Sequence, residues 1–240
     1  MLIDKEFLAK PDDLLIFVHI PKCAGMSMFN TMVRAYGEDH ILAPYSDEDL
    51  RDYENSKKEA TNLAPYRALL AHLPYGEHEH FRRRGVYVTL VRDPVDRFLS
   101  LYAWIKNHPE HWLYSMVENR DLAAFWRNYR QHYPYEKLGE QCYYICRDGR
   151  FEVARDYIDS KYLLAAPIGE FGRFVRLLSG VLNFRLKRYR IANRSSGKPK
   201  ISSLERKLIE DLKTVYSEDF RLFKYISDQF GEICRKFRCL

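Results

Sequence analysis

Residues 14–19 read Leu14-Leu15-Ile16-Phe17-Val18-His19, an almost unbroken apolar run that stops at Ile20-Pro21. A run this short and this apolar fits a strand buried on both faces. A loop of small residues follows, Lys22-Cys23-Ala24-Gly25, and Ser27 opens a helical stretch to about Tyr36. The order strand, loop, helix constrains the chain more than any other feature. A strand covered on both faces needs helices on each side of its sheet.

Similar units recur. Residues 67–72 read as a second short strand, and Gly85–Val91 as a stronger one rich in β-branched residues. Arg92-Asp93-Pro94 closes it. Asp93 suits a helix N-cap and Pro94 the first turn behind it. Phe98, Leu101, Tyr102 and Ile105 then recur at helical spacing. Residues 47–60 are charged and helix-compatible, and residues 110–160 read as mostly helical. Residues 162–166 are a candidate fourth strand, with a helix over about 169–182 behind it. A polar, basic loop over 193–200 precedes two amphipathic stretches over 202–237. No repeat or low-complexity linker interrupts the 240 residues, so they read as a single domain, 1–240. Alternating strands and helices predict an α/β fold with a P-loop-like parallel sheet flanked by helices on both faces.

Charge narrows the ligands. Lys and Arg number 39 against 33 Asp and Glu, a net charge of +6. That field suits anionic ligands, and it serves equally well as a solubility surface. The densest basic clusters are Arg82-Arg83-Arg84 and residues 185–200. No long single-sign tract appears, and no nucleic-acid partner is expected. No apolar run approaches the roughly 20 residues of a membrane span. Residues 1–13 lack the apolar core of a signal peptide. The five cysteines show no CxxC spacing, although Cys142 and Cys146 could share a helix face; reduced thiols in a cytoplasmic protein are expected. No ligand spacing argues for a metal.

A buried strand leading through small residues into a helix presents N–H groups and a partial positive charge to an anion. Lys22 adds a full charge and Ser27 a hydroxyl. The GxxxxGK[ST] pattern of a nucleoside-triphosphate loop is absent. The segment His19-Ile20-Pro21-Lys22-Cys23-Ala24-Gly25-Met26-Ser27 resembles the 5′-phosphosulfate loop of the carbohydrate (family 2) sulfotransferases, which usually reads H-I-P-K-T-A-G-T-S. The resemblance implies that Lys22, Cys23, Ala24, Gly25, Met26 and Ser27 hold the phosphosulfate of PAPS (3′-phosphoadenosine 5′-phosphosulfate). Cys23 and Met26 replace threonines, and Met26 removes one of the hydroxyl donors that the resemblance implies.

Arg92-Asp93-Pro94-Val95-Asp96-Arg97-Phe98-Leu99-Ser100-Leu101-Tyr102 resembles the same family's R-D-P-x-x-R-x-x-S-x-Y segment. That implies a 3′-phosphate site formed by Arg92 and Ser100, with Arg97 reinforcing it or pairing with Asp93. Arg92 stands at the carboxyl end of a strand, where α/β sheets place ligands. Ala71-His72-Leu73-Pro74-Tyr75-Gly76 resembles the family's G-H-x-P-[FY]-G, making His72 the candidate base, with Lys22 stabilising the leaving group. His78 and His80 read as ordinary polar helix residues. Arg194 and Lys198, in the late basic loop, are candidates to cover the donor's adenosine end. Tyr143, Tyr144, Trp104 and Trp126 could line an acceptor site or simply fill a core.

The resemblance implies the sulfotransferase fold and transfer of a sulfuryl group from PAPS to a carbohydrate, glycolipid or polysaccharide acceptor, releasing PAP. Two alternatives remain: a P-loop kinase-like phosphotransferase needing ATP and Mg²⁺, and a non-catalytic polyanion binder with steep salt dependence.

Overall fold

A computed structural model describes residues 1–4, 10, 12–57, 63–117, 121–132, 139–182 and 197–237. Among these, five strands form one parallel sheet: β1 (Leu14–Val18), β2 (Ile41–Leu42), β3 (Ala68–Ala71), β4 (Gly85–Val91) and β5 (Tyr162–Pro167), in the order β2-β3-β1-β4-β5. The helices are α1 (Gly25–Tyr36), α2 (Asp47–Ser56), α3 (His78–Phe81), α4 (Pro94–Lys106), α5 (Tyr114–Val117), α6 (Leu122–His132), α7 (Glu140–Cys146), α8 (Phe151–Ser160), α9 (Phe171–Leu182), α10 (Arg206–Val215) and α11 (Ser217–Lys236).

Every residue of β1 is buried. Successive side chains of a strand point to opposite faces, so both faces of the sheet are covered. β1 pairs with β3 on one side and β4 on the other, with Val18 opposite both Ala71 and Thr89. The chain leaves β1 toward β2 and leaves β4 toward β5. Neighbouring strands whose connections diverge leave a crevice at their carboxyl ends, and α/β sheets bind ligands there.

Two strand readings need amendment. Tyr162–Pro167 is the fifth strand, because the two-residue β2 was missed. Two residues carry no alternation for a pattern to detect.

Asp93 caps α4, accepting from the Asp96 amide at 2.9 Å, and Pro94 opens the first turn. α4 is buried along most of its length, and its apolar residues pack in the second of two cores. One surrounds the sheet. The other gathers Phe98 and Leu101 of α4, Phe125 and Trp126 of α6, and Leu212 of α10. Trp126 belongs to this second core, donating its indole N–H to Asp211 at 2.6 Å, and so is no part of an acceptor wall. Cys142 and Cys146 share α7, and both are buried free thiols. Of the 193–200 loop, residues 193–196, Arg194 among them, lie outside the described residues.

Candidate active site

The turn after β1 departs from ordinary backbone. Lys22 (φ 68°) and Ala24 (φ 63°) both take the left-handed region. Each such L-residue costs about 1–2 kcal/mol, and strain of this kind collects where a loop must curl around a ligand. Ala24 is the N-cap of α1 and makes no side-chain capping bond. The first turn of an α-helix leaves N–H groups without intrahelical acceptors and carries a partial positive charge. Ala24, Gly25, Met26 and Ser27 line a cavity of about 1690 Å³, so this positive end faces it. Ser27 is buried, whereas Met26 stays 45 % exposed.

Lys22 lines the same cavity, its ammonium 4.6 Å from the Trp104 ring centroid. Burial, and next the charge of Arg92, lower its pKa to about 8. Lys22 and Arg92 thus place two cations in one recess.

Cys23 departs from its expected role. Its side chain is fully buried, and its thiol reaches Gln141 Oε1 at 3.8 Å rather than the cavity. Burial pushes the thiol up to about 12. Cys23 therefore serves the loop's interior anchoring.

Arg92 follows β4 and enters the cavity beside the Lys22 loop. Its Nη1 donates to the Lys22 carbonyl at 3.0 Å and its Nε to Asp96 at 2.6 Å. Lys198 reaches the other Asp96 oxygen. One carboxylate thus holds two candidate phosphate ligands at once, and their charges lower its pKa against the opposing effect of burial. Ser100 lies on α4, buried and lining the cavity. Arg97 is fully buried, with Nη2 on Glu140 Oε2 at 2.5 Å. The i,i+4 ion pair of this helix start is Arg92–Asp96.

His72 stands just beyond β3. Its Nδ1 donates to the His19 carbonyl at 2.7 Å. That bond fixes the neutral tautomer and leaves Nε2 as a lone-pair acceptor. The ring is open to the cavity, yet protein surrounds it on most sides, and the resulting desolvation lowers its pKa below the usual histidine value. The His19 ring lies 4.1 Å from it, centroid to centroid, and shares a 2.9 Å hydrogen bond with the Tyr45 hydroxyl. Burial, with the charges of His72 and Lys22, keeps His19 neutral.

His19 also explains Gly25. A Cβ on Gly25 would lie 1.8–2.3 Å from three His19 ring atoms. The ring is held by Tyr45 and stacked on Phe17, so it has little freedom to retreat. Gly25→Ala is expected to destabilise the fold by about 1–3 kcal/mol, read in urea unfolding, and to weaken nucleotide binding with it.

Tyr143 and Tyr144 of α7 and Trp104 of α4 line the cavity, joined by Tyr45 and by Trp112, which is 67 % exposed. His78 pairs with the Tyr87 hydroxyl at 2.8 Å, a structural contact. Sequence reasoning missed Tyr45, Asp96, Glu140 and Gln141. Only Asp96 carried a signal, its i,i+4 spacing from Arg92. Among the described residues no group of three His, Cys, Asp or Glu could hold a metal ion, and no helix is long and apolar enough to cross a membrane.

A parallel sheet with basic residues gathered at adjoining strand ends, beside a helix N-terminus, defines an α/β protein whose cavity suits an anionic ligand. The chain belongs to the sulfotransferase family, whose sequence profile matches residues 5–226. It is 33% identical over 93 residues to a protein-tyrosine sulfotransferase of Arabidopsis thaliana, covering 38% of this chain and 17% of that protein. The chain thus spans a small part of that relative's length. Its fold is similar to that of mouse sulfotransferase SULT7A1 complexed with PAP. The TM-score is 0.54 and the identity 16%, over 92% of this chain and 88% of that one.

Proposed function

We propose that this chain transfers the sulfuryl group of PAPS to an acceptor hydroxyl (or amine) by in-line displacement, releasing PAP. The observation that carries the reading is the joining of two anion subsites, with Arg92 bonded to the Lys22 carbonyl where β1 and β4 end side by side. A nucleotide charged at its 5′ and 3′ positions has a partner at each end: Lys22 and the start of α1 for the phosphosulfate, Arg92, Ser100 and Lys198 for the 3′-phosphate. In the transfer an acceptor oxygen–sulfur bond forms, the bond from sulfur to the 5′-phosphate oxygen breaks, and that oxygen leaves with the electron pair. His72 Nε2 takes the acceptor proton. Lys22 stabilises the charge on the leaving oxygen.

For the acceptor we propose a carbohydrate-like molecule. The support is the set of aromatic rings that line the cavity, Trp104, Trp112, Tyr143 and Tyr144, which suit the apolar faces of sugar rings. A second reading, a tyrosine side chain, is favoured by the 93-residue likeness to a protein-tyrosine sulfotransferase. Transfer of radiolabelled sulfate from PAPS to a panel of oligosaccharides and tyrosyl peptides decides between them. Label on peptides alone overturns the carbohydrate reading.

Donor use is tested first by thermal unfolding. A ligand at a hundredfold excess over its Kd stabilises by about 2.7 kcal/mol, or roughly 5–10 °C in a domain of this size. PAP is expected to give such a shift and ATP with Mg²⁺ little. A shift with ATP and Mg²⁺ alone supports the kinase alternative. No shift with either nucleotide, together with salt-sensitive binding of polyanions, supports the non-catalytic one.

A further inference from the structure

Arg92 has to be held more firmly than its place in the sheet allows. The β4–β5 ladder ends at Val91, opposite Pro167, so Arg92 lies one residue beyond it. Gln141, fully buried at the start of α7, supplies the missing partner. Its Oε1 accepts from the Arg92 amide at 2.9 Å, and its Nε2 donates to the Arg92 carbonyl at 2.9 Å. The two partners dictate which end of the carboxamide is oxygen. The side chain reproduces what a neighbouring strand would do, exchanging both bonds with one residue. The same Oε1 receives the Cys23 thiol at 3.8 Å, a weak bond that ties in the phosphosulfate loop.

Gln141 is itself fixed from behind. Asp219 of α11 accepts from the Gln141 and Cys142 amides, each at 3.1 Å, and so caps α7 from another helix. A Cβ on Gly139, the N-cap, would sit 2.9 Å from Asp219 Oδ1 and from the Gly149 carbonyl. Glycine at 139 is what lets the carboxylate approach.

We propose that Gln141 is a positioning residue for the donor site, setting the place of Arg92 and thereby selectivity for a 3′-phosphate. The proposal rests on the reading of PAP(S) as ligand. The Lys22 loop is carried directly by β1, and its tie to Gln141 is the weak thiol bond at 3.8 Å, against two bonds of 2.9 Å from Gln141 to Arg92. Loss of the carboxamide therefore acts chiefly on the 3′-phosphate end.

The test compares PAP with adenosine 5′-monophosphate, which lacks only the 3′-phosphate. Gln141→Met keeps length and apolar fit while removing both bonds to Arg92. The ratio of the two dissociation constants is expected to fall about tenfold or more, chiefly through weaker PAP binding. A purely structural role weakens both nucleotides equally and leaves the ratio unchanged, which overturns the proposal. Wild-type protein gives a second measurement that does not depend on the variant folding. PAP is expected to slow hydrogen–deuterium exchange over residues 139–146 more than saturating adenosine 5′-monophosphate does. Equal protection by the two overturns the coupling. Wild-type protein that binds no PAP overturns the donor reading itself, a different result from one that binds PAP and keeps its selectivity in Gln141→Met.

Discussion

Lys22→Ala is expected to lower kcat/KM for PAPS by roughly 10³–10⁵. Two losses add. A charge-assisted bond to a bound phosphate contributes about 1.5–3 kcal/mol. A cation placed where charge develops on a leaving oxygen contributes about 2.7–4 kcal/mol more. Together that is about 4–7 kcal/mol, or three to five powers of ten. Alanine accepts the left-handed backbone of residue 22 as readily as lysine does, so the variant isolates the ammonium. Arginine is no substitute, because a planar fork cannot replace a point charge on a flexible stem. The pH dependence of binding provides an independent check. Burial and Arg92 set the Lys22 pKa at about 8 in the free protein, and a bound anion favours the protonated form. Below that pH the ammonium is already in place. Above it a proton must be taken up on binding, so the Kd for PAP rises by up to about tenfold per pH unit until the pKa in the complex is reached. The same titration of Lys22→Ala is flat. Calorimetry with PAP across this range reads both, and a wild-type Kd constant above pH 8 removes Lys22 from the anion contact.

Much of this site was legible in the sequence because its pieces are local. Lys22, Gly25 and Ser27 occupy one turn after a strand whose apolar run marks it as buried. Asp93 and Pro94 announce the start of α4, and Arg92 must precede it. What sequence could not supply is contact between distant segments. Gln141 meets Arg92 across 49 residues, and no periodicity records that a carboxamide replaces a strand. Glu140 meets Arg97 across 43 residues in the same way, and no local spacing announces that pair. Cys23 shows the reverse failure. Its place in the loop implied a ligand contact, but alternating backbone handedness sends neighbouring side chains in different directions, and only the turn's geometry reveals that this one points inward. Trp104 and Trp126 look alike as bare aromatics. One lines the cavity and the other fills the second core, a distinction set by which layer packs on which.

His72→Asn is expected to lower kcat by roughly 10²–10⁴, the usual contribution of a positioned base, while the Kd for PAP stays within about threefold. Asparagine is the informative replacement. Its amide can still donate to the His19 carbonyl, as His72 Nδ1 does at 2.7 Å, so the turn after β3 keeps its anchor while Nε2 is lost. The proton-accepting form of His72 is the neutral one. Burial disfavours the imidazolium, and Lys22 adds to that; the bond to His19 and the charge of Glu140 oppose it, and the net shift is downward from 6.5. Accordingly kcat is level near neutrality and falls as acid protonates the ring, with its midpoint below 6.5. In His72→Asn that acid limb disappears along with most of the rate. Single-turnover transfer of labelled sulfate across this range separates the chemical step from product release. A limb that survives unchanged in the variant would assign the proton to another group. The nearby carboxylate of Glu140 is poorly placed to replace it, because Arg97 occupies one of its oxygens at 2.5 Å. His72, with its proton held on Nδ1 by the His19 carbonyl, keeps a lone pair on Nε2 for that role.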